Sequence, residues 1–471
     1  MATITAAAYP AKRFFVEMLT RDINLHDALL DLLDNCVDGA IRSGPKNNKT
    51  AKPYDGYCAK LTISEKEFVI EDNCGGIEKN LAEQYAFRFG RPAERDKEES
   101  EMATVGVYGI GMKRAIFKLG NSSTIFSSHP TGAFEVKITP EWIGNDSKWT
   151  LDLTAARKKT TDHGTKIEVA NLHPAISVSF SKLKGNFTEE FKEVLSHHYG
   201  YIMEKGFKVY INNELITPTK VQTLVDVAAF KAGKGITPYI YKTTHEGVEV
   251  QLVMGLYQKL PSEDEKIDIE TGRRTKENAG WTVICNDRVV LSANKDHQTG
   301  WGEAGVPAYH SQFVALAGVV SFTTKDARKL PVTTTKRGID LGSPLYNSVK
   351  EEMRAALKTF TSFTNSWKSQ TEERTQIQAA AKPVDAFKIH VDVPDKAWQQ
   401  VRKGAAGIRY VPKLPVSKEA ATHSRIQFVR AKDQIATVLG YLGEDSIPDS
   451  GKASNVGAAA FDWVYAEAVR K

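Results

Sequence analysis

Apolar side chains in the stretch LHDALLDLLDNCVDGA (25–40) recur at helical spacing, and the polar ones between them gather on a single face. With Asp31 as origin and about 100° per residue, Leu29, Leu32, Leu33, Cys36, Val37 and Ala40 fall between about 100° and 240°; Asp34, Asp38 and Asn35 fall within about 60° of the origin. The pattern predicts a helix with a broad apolar back of the kind that packs on a sheet. Alone, its acidic front reads as an ordinary solvated face. A polar loop follows, RSGPKNNKTAKPYDG (42–56), and then two runs that alternate like strands, AKLTISE (59–65) and EFVIED (67–72). Helical spacing returns over 79–90, followed by the charged segment 91–106. The runs SSTIFSSH, AFEVKITP, KWTLDLT and TKIEVANL then have the β-branched alternation of antiparallel strands. Together these elements predict an α/β sandwich with helices on one face of a mixed sheet.

A second strand-and-helix region follows from about 190, with strand-like runs FKVYINNEL, VEVQLVMGLYQ, GWTVICNDRVVL and FVALAGVVSFTT. After the break Gly342-Ser343-Pro344 a helical pattern extends to about 381. The rest of the chain is punctuated by proline at first and ends in two helical patterns, 424–442 and 456–471. The expected organisation is an α/β sandwich over 1–190, an α/β domain over 191–345, a connecting helix over 346–381, and a mainly helical C-terminal region over 382–471.

Bulk properties narrow the class. Two or three domains suit 471 residues, and 41% hydrophobic with 25% charged residues is ordinary for a globular protein. No apolar run approaches the roughly 20 residues of a spanning helix, and the N-terminal residues carry no secretory pattern. The four cysteines, Cys36, Cys58, Cys74 and Cys285, have no CxxC spacing, which fits reduced thiols in a cytoplasm and argues against a zinc site. The net charge of +6 is unevenly spread: 396–432 holds nine lysines and arginines against Glu419 alone, leaving the remainder of the chain slightly acidic. Such a segment is a candidate footprint for nucleic acid, with partnerless surface lysines as the plain alternative.

Four short stretches carry candidate chemistry: DLLDN (31–35), EDNCGGI (71–77), GVYGIGMK (106–113) and HGTKIEV (163–169). A carboxylate at a strand end, Asp72, can accept a hydrogen bond from an exocyclic amine, and Gly75-Gly76 would let a base lie flat on the backbone. A strand-ending turn is the plain alternative. Three glycines ahead of a helical run, Gly106, Gly109 and Gly111, offer backbone N–H groups to phosphate oxygens. Lys113 is followed by Arg114 instead of Ser or Thr, and no strand leads directly into the loop, which disfavours a P-loop or a Rossmann site.

In order and residue type the four stretches resemble the GHKL (Bergerat-fold) ATPases: gyrase B subunits, the ninety-kilodalton heat-shock chaperone, histidine kinases, the mismatch-repair MutL proteins and especially the MORC-type relatives. Asp31 and Asn35 have the family's spacing of carboxylate and asparagine; DNCGGI is similar to its adenine motif; GVYGIGMK is similar to the MORC-like lid; Gly164 and Thr165 match its Gly-Thr pair. Further on, KLPVTTTKRGID (329–340) resembles the transducer loop whose lysine reaches the γ-phosphate, here Lys336. The resemblance implies a Bergerat-type ATPase domain and then a ribosomal-protein-like transducer domain. It implies ATP and Mg²⁺ as ligands, with Asp72, Gly76, Gly106, Gly109, Gly111, Lys113 and Thr165 around the nucleotide. Asn35 would be the metal ligand, and Asp31 and Lys336 would act on the γ-phosphate.

Two departures stand out. The family's base is glutamate, and Asp31 would set its carboxylate roughly 1.5 Å back, where a misplacement of about 1 Å can cost a hundredfold. Cys74 replaces the first glycine of the adenine motif. The expectation is therefore a slow ATPase that closes a lid over 91–106 and clamps as a homodimer on nucleic acid or a partner protein, with no membrane association. A nucleotide-gated binding module without turnover and a protein-folding chaperone are the alternatives.

Overall fold

The computed structural model describes residues 11–44, 50–88, 110–181, 186–232, 235–261, 278–333, 338–367, 371–401, 407–416, 426 and 429–470. The chain forms two compact units, Met1–Pro415 and Val416–Lys471.

The first unit holds two large sheets. The first contains β1 (Cys58–Ile63), β2 (Glu67–Asp72), β3 (Gly120–His129), β4 (Gly132–Ile138), β5 (Leu153–Ala155), β6 (Gly164–Leu172), β7 (Lys208–Ile211) and β8 (Glu214–Leu215), in the order β5-β4-β3-β6-β2-β1-β7-β8. All pairs are antiparallel except β1 with β7, which makes the sheet mixed. Alternation decides which face is covered: Ala59, Leu61 and Ile63 of β1 and Phe68 and Ile70 of β2 are buried, while Lys60 and Thr62 point away. Onto the buried face pack helices α1 (Lys12–Arg21), α2 (Leu25–Ser43) and α3 (Gly111–Leu119), and α4 (Phe187–His198) adds Phe187, Phe191 and Leu195 to the same core. This is the α/β sandwich that the sequence predicts. The helical stretch expected over 79–90 is helical over 79–86, with Ala82–Ala86 wound as a π-helix.

The second sheet contains β10 (Tyr239–His245), β11 (Val248–Leu256), β12 (Gly280–Cys285), β13 (Arg288–Asn294), β14 (Leu316–Thr323), β16 (Gln399–Gln400) and β17 (Ile408–Tyr410), in the order β13-β12-β14-β11-β10-β17-β16. The strands β9 (Gln222–Val225) and β15 (Lys382–Asp385) pair separately. Helix α5 (Pro344–Ser366) starts on Ser343, whose side chain accepts the Tyr346 N–H, with proline in the first turn where no N–H is missed. Its buried stripe, Val349, Met353, Ala356, Leu357 and Phe360, lies in the core of this sheet. Three hairpins turn on pairs with positive φ, Asn212-Asn213, Glu246-Gly247 and Asn286-Asp287, a twist that matches the flanking strands.

In the second unit the two predicted helices are present with different starts: α6 (Lys432–Leu442) begins later than the expected 424 and α7 (Ala453–Arg470) three residues before the expected 456, with Tyr441 edge-on to Trp463 at 5.6 Å. No helix among the described residues is long and apolar enough to cross a membrane.

Candidate nucleotide site

The acidic front of α2 is not solvated. Asp31, Asp34 and Asp38 are 4%, 0% and 3% exposed, and only Asn35 in that cluster is open to solvent. A helix buried nearly all round needs a partner for each carboxylate. Asp31 Oδ2 accepts from Arg114 Nη2 of α3 at 2.5 Å. Asp34 is engaged by the Arg288 guanidinium at the start of β13 and by the Tyr199 hydroxyl just after α4. Burial, the largest single influence, would pull the Arg288 guanidinium down, but Asp34, Tyr199 and Asp31 together leave it raised; burial first and then Asp34 push the Tyr199 phenol well up.

Asn35 follows Asp31 by one turn, and its Nδ2 donates to the Asp31 carbonyl at 2.9 Å. That uses one of the two amide N–H groups and leaves Oδ1 as an acceptor on an exposed side chain. One amide oxygen suits a hard cation such as Mg²⁺, which keeps several waters and shares phosphate oxygens. The residues present therefore fit the ion.

The turn after β2 lies tightly against α2. A side chain on Gly39 would begin 2.8 Å from the Cys74 carbonyl, so the helix admits only glycine there. Asp72 Oδ1 accepts the Cys74 N–H at 2.7 Å and the Thr165 N–H at 3.3 Å. Burial raises the Asp72 carboxyl above its ordinary value, opposed by these two N–H groups and by the thiols of Cys36 and Cys74. The thiols are in turn pushed up, chiefly by burial and then by Asp72, so they stand uncharged beside it, Cys36 Sγ donating to the Leu32 carbonyl at 3.4 Å and Cys74 Sγ to the Cys58 carbonyl at 3.9 Å. Gly76 has φ +72°, and a side chain on it would begin 2.1 Å from the Ser128 carbonyl. Gly164 is equally constrained, 1.9 Å from the Asp72 carbonyl.

The start of α3 completes the arrangement: a side chain at Gly111 would begin 3.3 Å from the Asp31 carboxyl carbon. Lys113 is buried, and its Nζ donates to the Ala86 carbonyl at 3.0 Å. Asp31, Asn35, Asp72, Gly76, Gly111, Lys113 and Thr165 thus belong to one connected set of contacts centred on α2, the turn after β2, the start of β6 and the start of α3. Gly106, Gly109 and Lys336 lie outside the described residues, as do 91–106, Arg402 and Lys403.

Residues 23–168 match the protein family described as Histidine kinase-, DNA gyrase B-, and HSP90-like ATPase. This stretch is a GHKL ATPase domain. The GHKL domain spans α2 to β6, so every contact in the set above that joins two of the four motifs falls inside it, and it is an ATP-binding ATPase domain by family. No curated protein matches the chain.

Sequence reasoning missed four residues of this region. Arg114 was visible only as the residue where a P-loop would have Ser or Thr. Cys36 read as part of the apolar back of α2, yet its thiol reaches Asp72. Tyr199 and Arg288 are remote in sequence from Asp34, and no local pattern pairs them.

Proposed function

We propose that the chain is a slow Mg-ATP hydrolase of MORC-like type, which closes on ATP and clamps as a homodimer on nucleic acid or a partner protein. The observation that carries the ATP reading is the double acceptance at Asp72: one carboxylate oxygen holds the N–H groups of Cys74 and Thr165, so two motifs almost a hundred residues apart are locked around one hydrogen-bonding group. The other oxygen is left to read an exocyclic amine. In the reaction, Asp31 takes a proton from water as that water bonds to the γ-phosphorus, and the bond to the bridging oxygen breaks with its electron pair leaving on ADP. Asn35 would hold Mg²⁺, which neutralises phosphate charge when bound. Lys336 of the transducer loop would supply a further positive charge at the γ-phosphate.

Slow turnover has two supports. Asp31 is a methylene shorter than glutamate, and its carboxylate is engaged with Arg114 at 2.5 Å instead of standing open to a water. The same ion pair favours a second reading, a nucleotide-gated module with negligible turnover. Phosphate release by the wild type and by Asp31→Ala separates the two: release above background that disappears in the variant supports hydrolysis, and equal rates in both leave the gated module. A sizing column run with a non-hydrolysable ATP analogue tests the clamp, for which an unchanged monomer at micromolar protein is the refuting result.

A further inference from the structure

The Arg114 side chain is 13% exposed, yet it is only partly satisfied. A guanidinium carries five N–H donors, and the Asp31 contact is made by Nη2 alone, to Oδ2 alone. Among the described residues, the buried Nε of Arg114 has no hydrogen-bond partner. A two-pronged pairing would have used Nε and the second carboxylate oxygen together, as arginine and carboxylate commonly do. The one-pronged pairing leaves donors pointing at whatever else enters, and an unmet buried N–H is costly enough that native structures usually answer it with water, an ion or a ligand.

What enters beside Asp31 on the nucleotide reading is the end of a triphosphate. Gly111, the first residue of α3, is packed on the Asp31 carboxyl carbon, so phosphate oxygens that meet the α3 amides come within reach of both members of the pair. A phosphate next to Asp31 is repelled by it and attracted by Arg114, and Lys113, the neighbouring cation, already donates to Ala86. The pair is thus arranged for an exchange of partners.

We propose that Arg114 is a γ-phosphate ligand: it holds the Asp31 carboxylate while no triphosphate is bound, and passes from that carboxylate to the terminal phosphate when ATP enters, freeing Asp31 to receive the proton of the attacking water. The proposal rests on the assignment of Asp31 to the γ-phosphate made above. It makes Arg114 both the restraint on turnover and a contributor to it, and it gives the site a way to tell ATP from ADP that does not need the transducer lysine.

The test is calorimetric binding of a non-hydrolysable ATP analogue and of ADP, each with Mg²⁺, to the full chain. Removing Arg114 alone strands a buried carboxylate, so the decisive comparison is Asp31→Asn, whose amide oxygen can still accept from the guanidinium, against the double variant Asp31→Asn/Arg114→Met, which carries neither charge. Asp31→Asn is expected to bind the analogue more tightly than the wild type, because the competitor for Arg114 is gone, with ADP unchanged. The double variant is expected to lose about tenfold to a hundredfold on the analogue relative to Asp31→Asn, the usual worth of a hydrogen bond to a charged group, with ADP within about twofold. Arg114→Lys, which keeps the charge without the fork, is expected to fall between. Equal losses on both nucleotides, no loss on either, or an Asp31→Asn protein that binds the analogue more weakly than the wild type overturns the proposal while leaving ATP binding intact. A wild type that takes up neither nucleotide overturns both readings together.

Discussion

Replacing Arg288 by methionine is the sharpest test of how α2 is held. The guanidinium and the Asp34 carboxylate are 2% and 1% exposed and are joined by the Tyr199 hydroxyl, so the network is out of water on all sides. Attraction within such a pair roughly offsets the cost of drying two charges, which is why the intact pair adds little net stability; removing one member leaves the other dry and uncompensated, at about 3–5 kcal/mol. The unit that contains both residues spans Met1–Pro415. At about 2.1 cal/mol/K per residue of unfolding entropy, that loss lowers the melting temperature of the unit by about 3–6 °C. Asp34→Leu should cost a similar amount, and Tyr199→Phe less, about 1.5–3 kcal/mol, since only one hydrogen bond to the charge is lost. The double variant Asp34→Leu/Arg288→Met strands nothing and should return to within about 1 kcal/mol of the wild type, because buried pairs replaced by apolar side chains are commonly neutral. Calorimetric melting and urea midpoints on all four proteins measure the cycle. A shift below about 1 °C for Arg288→Met, or a double variant less stable than both singles, refutes the reasoning.

Further predictions concern the turn after β2 and the basic segment. Asp72→Asn should abolish measurable ATP binding by calorimetry and yet leave the nucleotide-free protein as stable or more so: the Asn oxygen can still accept from Cys74 and Thr165, and the carboxylate it replaces is penalised by burial. The sign follows from the raised value. Below the unfolded carboxyl's ordinary 3.8 the protonated Asp72 favours the fold, and that contribution is lost as pH rises through the folded value, so the advantage of Asp72→Asn over the wild type should grow from about pH 4 upward and is read as melting temperature against pH. Gly76→Ala should destabilise by about 2 kcal/mol or more, since both its φ and the Ser128 carbonyl oppose a side chain; a urea midpoint equal to the wild type's counts against the close approach. Arg409 lies 3.6 Å from Glu352, which also accepts from Tyr239 at 2.5 Å, so Arg409→Ala should lower stability by about 1–2 kcal/mol. DNA binding through 396–432 is therefore better tested with Arg402, Lys403 and Lys413, where each lost phosphate contact should lower the salt slope by about 0.9 and an unchanged slope argues against the footprint.

The sandwich was legible because its signals are local. The stripe on α2 and the alternation in β1, β2, β4 and β6 each occupy one element, whereas GWTVICNDRVVL reads as one strand-like run and is in fact a hairpin turning at Asn286-Asp287. The meeting of Asp72 with Thr165 was legible only through the order of four motifs, since neither residue carries a sign of the other. What stayed hidden has a common physical cause. Asp31, Asp34 and Asp38 look alike on a helical wheel, where three carboxylates on one side read as a wet face. Asp31 and Asp34 are dry and paired because Arg114 and Arg288 arrive from 83 and 254 residues away. The short strands β15, β16 and β17 were missed for a similar reason: two to four residues that finish a sheet edge are too brief to show a period.

The placement of those arginines gives α2 two different anchors. Arg114 binds its outer turn from within the GHKL domain, and Arg288 binds it from the strand that follows the Asn286-Asp287 turn of the second sheet. Asp34 sits between Asp31 and Asn35 in the chain, so any movement of α2 that follows nucleotide binding is felt at Arg288, and the second sheet resists or follows it through a directional contact. An apolar pair at positions 34 and 288 restores packing without restoring direction. Asp34→Leu/Arg288→Met should therefore melt like the wild type and bind the ATP analogue with nearly wild-type affinity, yet fail to convert that binding into the change of oligomeric state expected of the clamp. Sizing with and without the analogue reads this directly. A double variant that dimerises on the analogue as fully as the wild type would show that the signal leaves α2 by another route and that the buried pair is structural alone.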